Sequence, residues 1–251
     1  MYSQWRGSDI YRVFGDRFNL RNTNLKVRTR NINNSVIWFF YRENLYVIRL
    51  PVSEHIDCKI KRNKGPKGYV HELLFDLEFN NKEAGAILRL IMSGDIERAK
   101  TLAEHIRFAE QLLYDKIENP SYAALGGYFL LLTNAMEQLH HWPRNLANWF
   151  EWFPDGCIIY ATQLMRSENP NVEEIERMLI QAYQRGIPLY TEGLRLLHDG
   201  LMKLYYMKHS RNNRKIEIAF REVQRWMSFA DTDSGFTVLC IPSRERSYLQ
   251  Y

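Results

Sequence analysis

The best nucleophile in this sequence is the thiol of Cys157, in the stretch Asp155-Gly156-Cys157. A thiol just inside a helix that opens at Asp155 and Gly156 would have its pKa depressed by the helix N-terminus, and the thiolate is the attacking form. Such a step needs a base, and His140 and His141 are close in sequence. Ile158 and Ile159 follow the cysteine, however, and a Cys in an apolar helix is ordinarily a small core residue. Glu137 and His141, four apart, would share one helix face, a spacing that holds a metal when a third ligand joins them. None accompanies them, and His140 and His141, being adjacent, point in different directions on a helix. His71-Glu72 stands at the start of a strand without the second half of a motif. A phosphate-binding GxxxxGK loop and a GxGxxG fingerprint are both absent; Gly126-Gly127 lies in an apolar helix, where it permits close packing. The expectation is a protein with no catalytic centre, no metal and no cofactor.

The cationic residues offer a different chemistry. Residues 1 to 70 carry fourteen Lys/Arg and five Asp/Glu, or +9, against +5 for the whole chain, so the remainder carries −4. The densest run, Lys59 to Gly68, reads as a mobile loop from its Gly and Pro. A second run, KHSRNNRK, spans Lys208 to Lys215, with Arg221 and Arg225 following. If the fold joins the two runs, Lys59, Lys61, Arg62, Lys64, Lys67, Lys208, Arg211, Arg214 and Lys215 make a surface that tracks phosphates. Helix-turn-helix, RNP and zinc motifs are absent, and the aromatic residues sit mostly in apolar contexts instead of among the basic ones.

A third feature is HHWPRNLANWFEWFPDG, His140 to Gly156, with three of the six Trp. If Pro143 opens a short helix, Leu146, Trp149, Phe150 and Phe153 fall at i, i+3, i+4 and i+7 and form one core stripe. Trp142 would staple the helix entrance and Trp152 would be partly exposed. Arg144, Asn148 and Trp152, four apart each, then share one side and are the candidate partner-binding residues, Trp and Arg being favoured interface anchors.

The elements that must carry these residues divide at about residue 80. Before it, LKVRTRN, VIWFFYRENLYVIRL and HELLFDLEF are short β-branched and aromatic stretches separated by turn residues. Val36 to Tyr41 and Leu45 to Leu50 make a hairpin about Arg42, Glu43 and Asn44, and Leu73, Phe75, Leu77 and Phe79 alternate with Leu74, Asp76 and Glu78 as a strand buried on one face. From Asn81 the period is 3.6. Ile96, Ala99, Leu102, Ala103, Ile106, Ala109, Leu112 and Leu113 line one helix face, with Lys116 late on that helix as the macrodipole favours. Pro120 suits a first helical turn, Asn171 with Glu174 resembles a capping box, and Gly186 closes a helix two residues before Pro188. FTVLCIP returns to strand character. The predicted fold is α+β: a small N-terminal antiparallel β domain, 1–80, and a larger repeat-like α-helical domain, 81–251, with a short C-terminal strand. GDIERAKTLAE carries the small-residue pattern of a tetratricopeptide-like helix, though no period near 34 survives three copies. Cys58, Cys157 and Cys240 form no paired spacing, the N-terminus has no apolar run, and AALGGYFLLLTNAM is too short to span a bilayer. These features place the chain in the cytoplasm, away from membranes.

YAALGGYFLLL, LHHWPRNLANWFEWFPDGCIIYATQLMR and RGIPLYTEGLRLLHDGLMKL, in that order, resemble the helical C-terminal module of multidomain bacterial proteins that often carry a caspase-like or other peptidase domain. The resemblance covers roughly residues 84 to 206. It implies a non-catalytic adaptor, sensor or scaffold of a bacterial defence or stress system, binding another protein such as a peptidase or its regulator. The other function expected of the chain is nucleic-acid binding through the two basic runs.

Overall fold

The computed structural model describes residues 10–12, 23–28, 35–41, 44–51, 55–62, 73–79, 81–94, 102–207 and 213–242. Among the described residues seven strands, β1 (Ile10–Arg12), β2 (Thr23–Arg28), β3 (Ser35–Tyr41), β4 (Asn44–Leu50), β5 (His55–Arg62), β6 (Leu73–Phe79) and β7 (Val238–Pro242), form two sheets, ordered β1-β3-β4-β7 and β2-β5-β6. β1 runs parallel to β3; every other pairing is antiparallel. The β3–β4 hairpin pairs from Ser35↔Leu50 to Tyr41↔Asn44, so Asn44 is already ladder and only Arg42 and Glu43 lie between the strands. In β6 the alternation holds: Leu73, Phe75 and Leu77 are buried and Leu74 is exposed. Tyr46 of β4 and Phe75 of β6, with ring centroids 5.5 Å apart, join the two sheets in one core.

The run Lys59 to Gly68, read as a loop, begins as strand. Lys59, Lys61 and Arg62 belong to β5, opposite Asp76, Leu74 and Leu73 of β6, and buried Ile60 alternates with Lys59 and Lys61 at the period of a strand. Lys64 and Lys67 lie outside the described residues, as does His71-Glu72.

The eight helices among the described residues are α1 (Lys82–Ser93), α2 (Leu102–Tyr114), α3 (Pro120–Leu132), α4 (Trp142–Trp149), α5 (Pro154–Met165), α6 (Val172–Arg185), α7 (Thr191–Met207) and α8 (Asn213–Phe229), with a 3₁₀ helix at Met136–Leu139. Asparagine caps recur. Asn81 accepts hydrogen bonds from the N–H groups of Glu83 (3.0 Å) and Ala84 (2.9 Å), Asn119 from Tyr122, and Asn171 from Glu174. Asn81→Ala is therefore expected to cost about 1 kcal/mol in urea unfolding. Pro120 takes the first position of α3, and Gly186, with φ 103°, closes α6. Ile96 and Ala99 of the longer expected helix lie outside the described residues.

Helices adjacent in sequence pair, α2 with α3, α4 with α5, α5 with α6 and α7 with α8. In a stacked array each unit touches only its neighbours. Here α3, buried from Pro120 to Leu131 except at half-exposed Tyr122, is packed by α1, α2, α4 and α5. Gly126 and Gly127 allow that approach: a Cβ at Gly126 would lie 2.3 Å from the Ala109 carbonyl oxygen on α2.

β7 is the C-terminal strand expected from FTVLCIP, and it completes the sheet of the N-terminal strands by pairing with β4, Asn44↔Pro242 to Ile48↔Val238. Before it, the Thr237 N–H donates to the Leu189 carbonyl (2.9 Å) and the Arg49 N–H donates to the Thr237 carbonyl (3.1 Å), which ties the sheet to the link between α6 and α7.

Candidate functional site

Helix α2 ends at Tyr114, and Lys116 lies in the turn that follows. Read from sequence as a complement to the helix macrodipole, Lys116 donates from Nζ to the Tyr114 carbonyl (3.3 Å) and does more besides. The same ammonium lies 5.9 Å from the ring centroid of Tyr114, 5.4 Å from that of Trp142 and 5.5 Å from that of Trp149. Lys116 is only 4% exposed, and burial lowers its pKa against the pull of Asp115. Three aromatic faces around one desolvated cation are mutually attractive, and each such contact is worth about 1–2 kcal/mol when water is excluded.

Trp149 is 54% exposed, which corrects the expected core stripe. Leu146 and Phe153 are buried as predicted, but α4 stops at Trp149 and Phe150 leaves the helix at φ −116°, ψ 74°, so the i+7 relation does not extend along one helix. Trp149 turns to Lys116 instead. Tyr114 and Ile117 are exposed beside it. Trp142, half-buried at the entrance to α4, meets Tyr114 edge-on (5.5 Å) and lies 4.4 Å from the His140 ring.

The break in the helix also sets where the candidate partner-binding residues lie. Arg144 and Asn148 are exposed on α4 and keep their four-residue relation. Trp152 falls beyond the helix and is half-buried, packed against Phe150 (6.1 Å) and Phe153 (5.1 Å). Arg185 secures that turn by donating from Nη1 to the carbonyls of Ala147, Phe150 and Phe153.

A groove of about 790 Å³ opens beside the aromatic face, lined by the rings of Phe108, Tyr114 and Trp142 and by Glu104, Arg107, Glu110 and His140. His140 has φ 49° and ψ −138°, a backbone conformation that L-residues rarely adopt and that costs about 1–3 kcal/mol. Its surroundings impose it: Nε2 lies 3.0 Å from Glu110 Oε1 on α2, and its carbonyl accepts from Gln163 Nε2 on α5 (2.9 Å). The expected Glu137/His141 pair is not on one helix face, since Glu137 is in the 3₁₀ helix and His141 precedes α4. Among the described residues no group of three or more His, Cys, Asp or Glu could hold a metal. Cys157 is buried in the core, and burial pushes its thiol up to about 11, the reverse of what a nucleophile requires.

A closed polar node lies in the core. Asp155, fully buried, accepts from Tyr128 Oη (2.9 Å), the Leu189 N–H (2.9 Å) and the Tyr190 N–H (3.4 Å). Burial raises its carboxyl to about 6, opposed by those hydrogen bonds and by buried Arg49, whose own pKa burial lowers to about 10. Tyr190 Oη donates to the Ser121 carbonyl (2.8 Å) and Thr191 Oγ1 to the Phe236 carbonyl (3.0 Å). The node joins β4, α3, α5, the start of α7 and the approach to β7, and its burial leaves no surface for a ligand.

At the tip of the α7–α8 hairpin, Arg214 and Lys215 are exposed; Lys208 and Arg211 lie outside the described residues. Tyr205, Tyr206, Met207 and Ile218 are exposed there as well, so aromatic and basic residues mix at this point. Arg221 pairs with Glu217 (2.6 Å) and Arg225 with Glu222 (2.9 Å) within α8.

A family model described as the Y4kD C-terminal domain matches residues 86–238, or 153 of the 251 residues. The chain belongs to the Y4kD C-terminal domain family. The matched span runs from within α1 to the first residue of β7, so the Y4kD C-terminal domain takes in the aromatic face, the groove, Asp155 and the α7–α8 tip, while β1 to β6 lie outside it. The C-terminal module expected from the sequence is met by a family described as a C-terminal domain. No curated protein and no solved structure matches the chain.

Proposed function

We propose that the chain is a non-catalytic, cytoplasmic adaptor or sensor module that binds another protein through the α2–α4 face. The observation that carries this reading is the cluster of exposed Tyr114, Ile117 and Trp149 around buried Lys116. Rings already fixed by a cation and by one another lose little further freedom on binding, which is the economy of a pre-organised interface. An amphipathic segment of a partner fits it. Its apolar side chains would meet the rings, and a cationic side chain would meet Glu104, which has no ion-pair partner among the described residues. The resemblance of the helical blocks to modules accompanying peptidase domains supports a partner in a peptidase-linked bacterial defence or stress system, and the paired helices support a tetratricopeptide-like use of their groove. A cytoplasmic place accords with the absence, among the described residues, of any helix long and apolar enough to cross a membrane.

The test is co-purification from the native host with wild type and with a Tyr114→Ser/Trp149→Ser variant, whose exposed positions leave the fold intact by circular dichroism. Chains recovered with the wild type and lost with the variant are the expected result. Recovery of the protein alone, or of the same chains with both, overturns the reading.

A further inference from the structure

We propose that the tip of the α7–α8 hairpin is a second, independent binding surface, built for a single-stranded nucleic acid. The described residues 200–207 and 213–216 hold three Lys/Arg and no Asp or Glu. Lys203, Arg214 and Lys215 are exposed and make no ion pair among the described residues, whereas the next two arginines on α8 are neutralised by Glu217 and Glu222. The charge of these three residues is therefore uncompensated among the described residues, and a polyanion is its complement.

Exposed rings accompany the charge. Tyr205 lies nearly parallel to Phe220 (5.2 Å, 23°), which fixes it between the two helices, and Tyr206 meets Tyr205 edge-on (5.3 Å, 72°). Tyr206 is 68% exposed, and Lys203 stands three residues before it on the same helix face. Fixed tyrosines flanked by unpaired cations are what stacks an unpaired base and holds its phosphate, and duplex bases are not available for that stacking. An anionic membrane would share the electrostatics. Among the described residues the exposed apolar set there is Tyr205, Tyr206, Met207 and Ile218, two of them phenols, which is smaller than the continuous apolar face that interfacial binding needs.

The experiment is fluorescence anisotropy of a labelled poly(U) oligonucleotide with the full chain over a salt series, with a duplex and phosphatidylserine vesicles as parallel probes. Affinity for the single strand is expected to fall steeply with salt. Tyr206→Ala should weaken it about tenfold with the salt slope kept, and Lys203→Gln/Arg214→Gln/Lys215→Gln should lower the slope by about two. The Tyr114→Ser/Trp149→Ser variant should bind as the wild type does, which separates this surface from the protein-binding face. No binding at low salt, a Tyr206→Ala variant equal to wild type, or preference for the duplex or the vesicles overturns the proposal.

Discussion

Asp155→Ala is expected to lower stability by about 3–5 kcal/mol at neutral pH, read from urea unfolding. The loss comes from what remains rather than from the carboxylate itself. Tyr128 Oη and the N–H groups of Leu189 and Tyr190 would stay buried without their acceptor, and Arg49 would lose the negative charge that offsets its burial. The pH dependence has a definite sign. The folded carboxyl titrates at about 6, above its ordinary 3.8, so the folded state holds the proton more tightly than the unfolded chain does. That contribution is complete below the unfolded pKa and is lost as pH rises through the folded one. The difference is worth about 3 kcal/mol. The gap between wild type and Asp155→Ala should therefore be wider at mildly acid pH than at neutral pH. A gap that is constant, or that widens as pH rises, would show that Asp155 is not a desolvated acid in the folded protein.

Gly126→Ala is expected to destabilise by about 2 kcal/mol. Alanine's better helix propensity contributes about 1 kcal/mol in its favour. Against it, the new methyl would stand 2.3 Å from the Ala109 carbonyl oxygen and 3.1 Å from Leu112 Cβ, and moving α2 off α3 costs about 3 kcal/mol. Because α2 also carries Glu110 and Tyr114, the displacement should weaken partner capture although Gly126 itself is buried. Gly127→Ala is the control: the nearest atoms its methyl would meet belong to the side chain of Ile159, at 3.0 Å, not to backbone, so the expected loss is smaller. Equal thermal midpoints for Gly126→Ala and wild type would refute the close-contact account.

What sequence reveals here is what short-range chemistry determines. The hairpin of β3 and β4, the alternation in β6, the Asn171 cap and the Gly186 stop all depend on residues within a few positions of one another, and all are present. The aromatic face is different, because Lys116 acquires its meaning only when Trp142 and Trp149 come round to it, and nothing in NWFEWF announces that α4 ends at Trp149. Asp155 looked like a helix opener beside a cysteine. It does sit in the first turn of α5, yet its partners are 27 and 34 residues away. In the run from Lys59, the Gly and Pro that follow obscured an alternation about Ile60. In each case the missing information was a pairing between distant parts of the chain.

One such pairing also governs how the protein is made. β4 has β3 for one neighbour and waits for β7 to supply the other, and 192 residues separate Leu50 from Pro242. At about 5–20 residues per second, a ribosome needs roughly 10–40 s to cover that distance. Throughout that interval the hairpin carries an open edge with Leu45, Tyr46, Val47 and Ile48 along it, a template for pairing with other nascent chains. The open edge is thus a hazard for aggregation during translation, and slower decoding of the helical region would prolong the exposure.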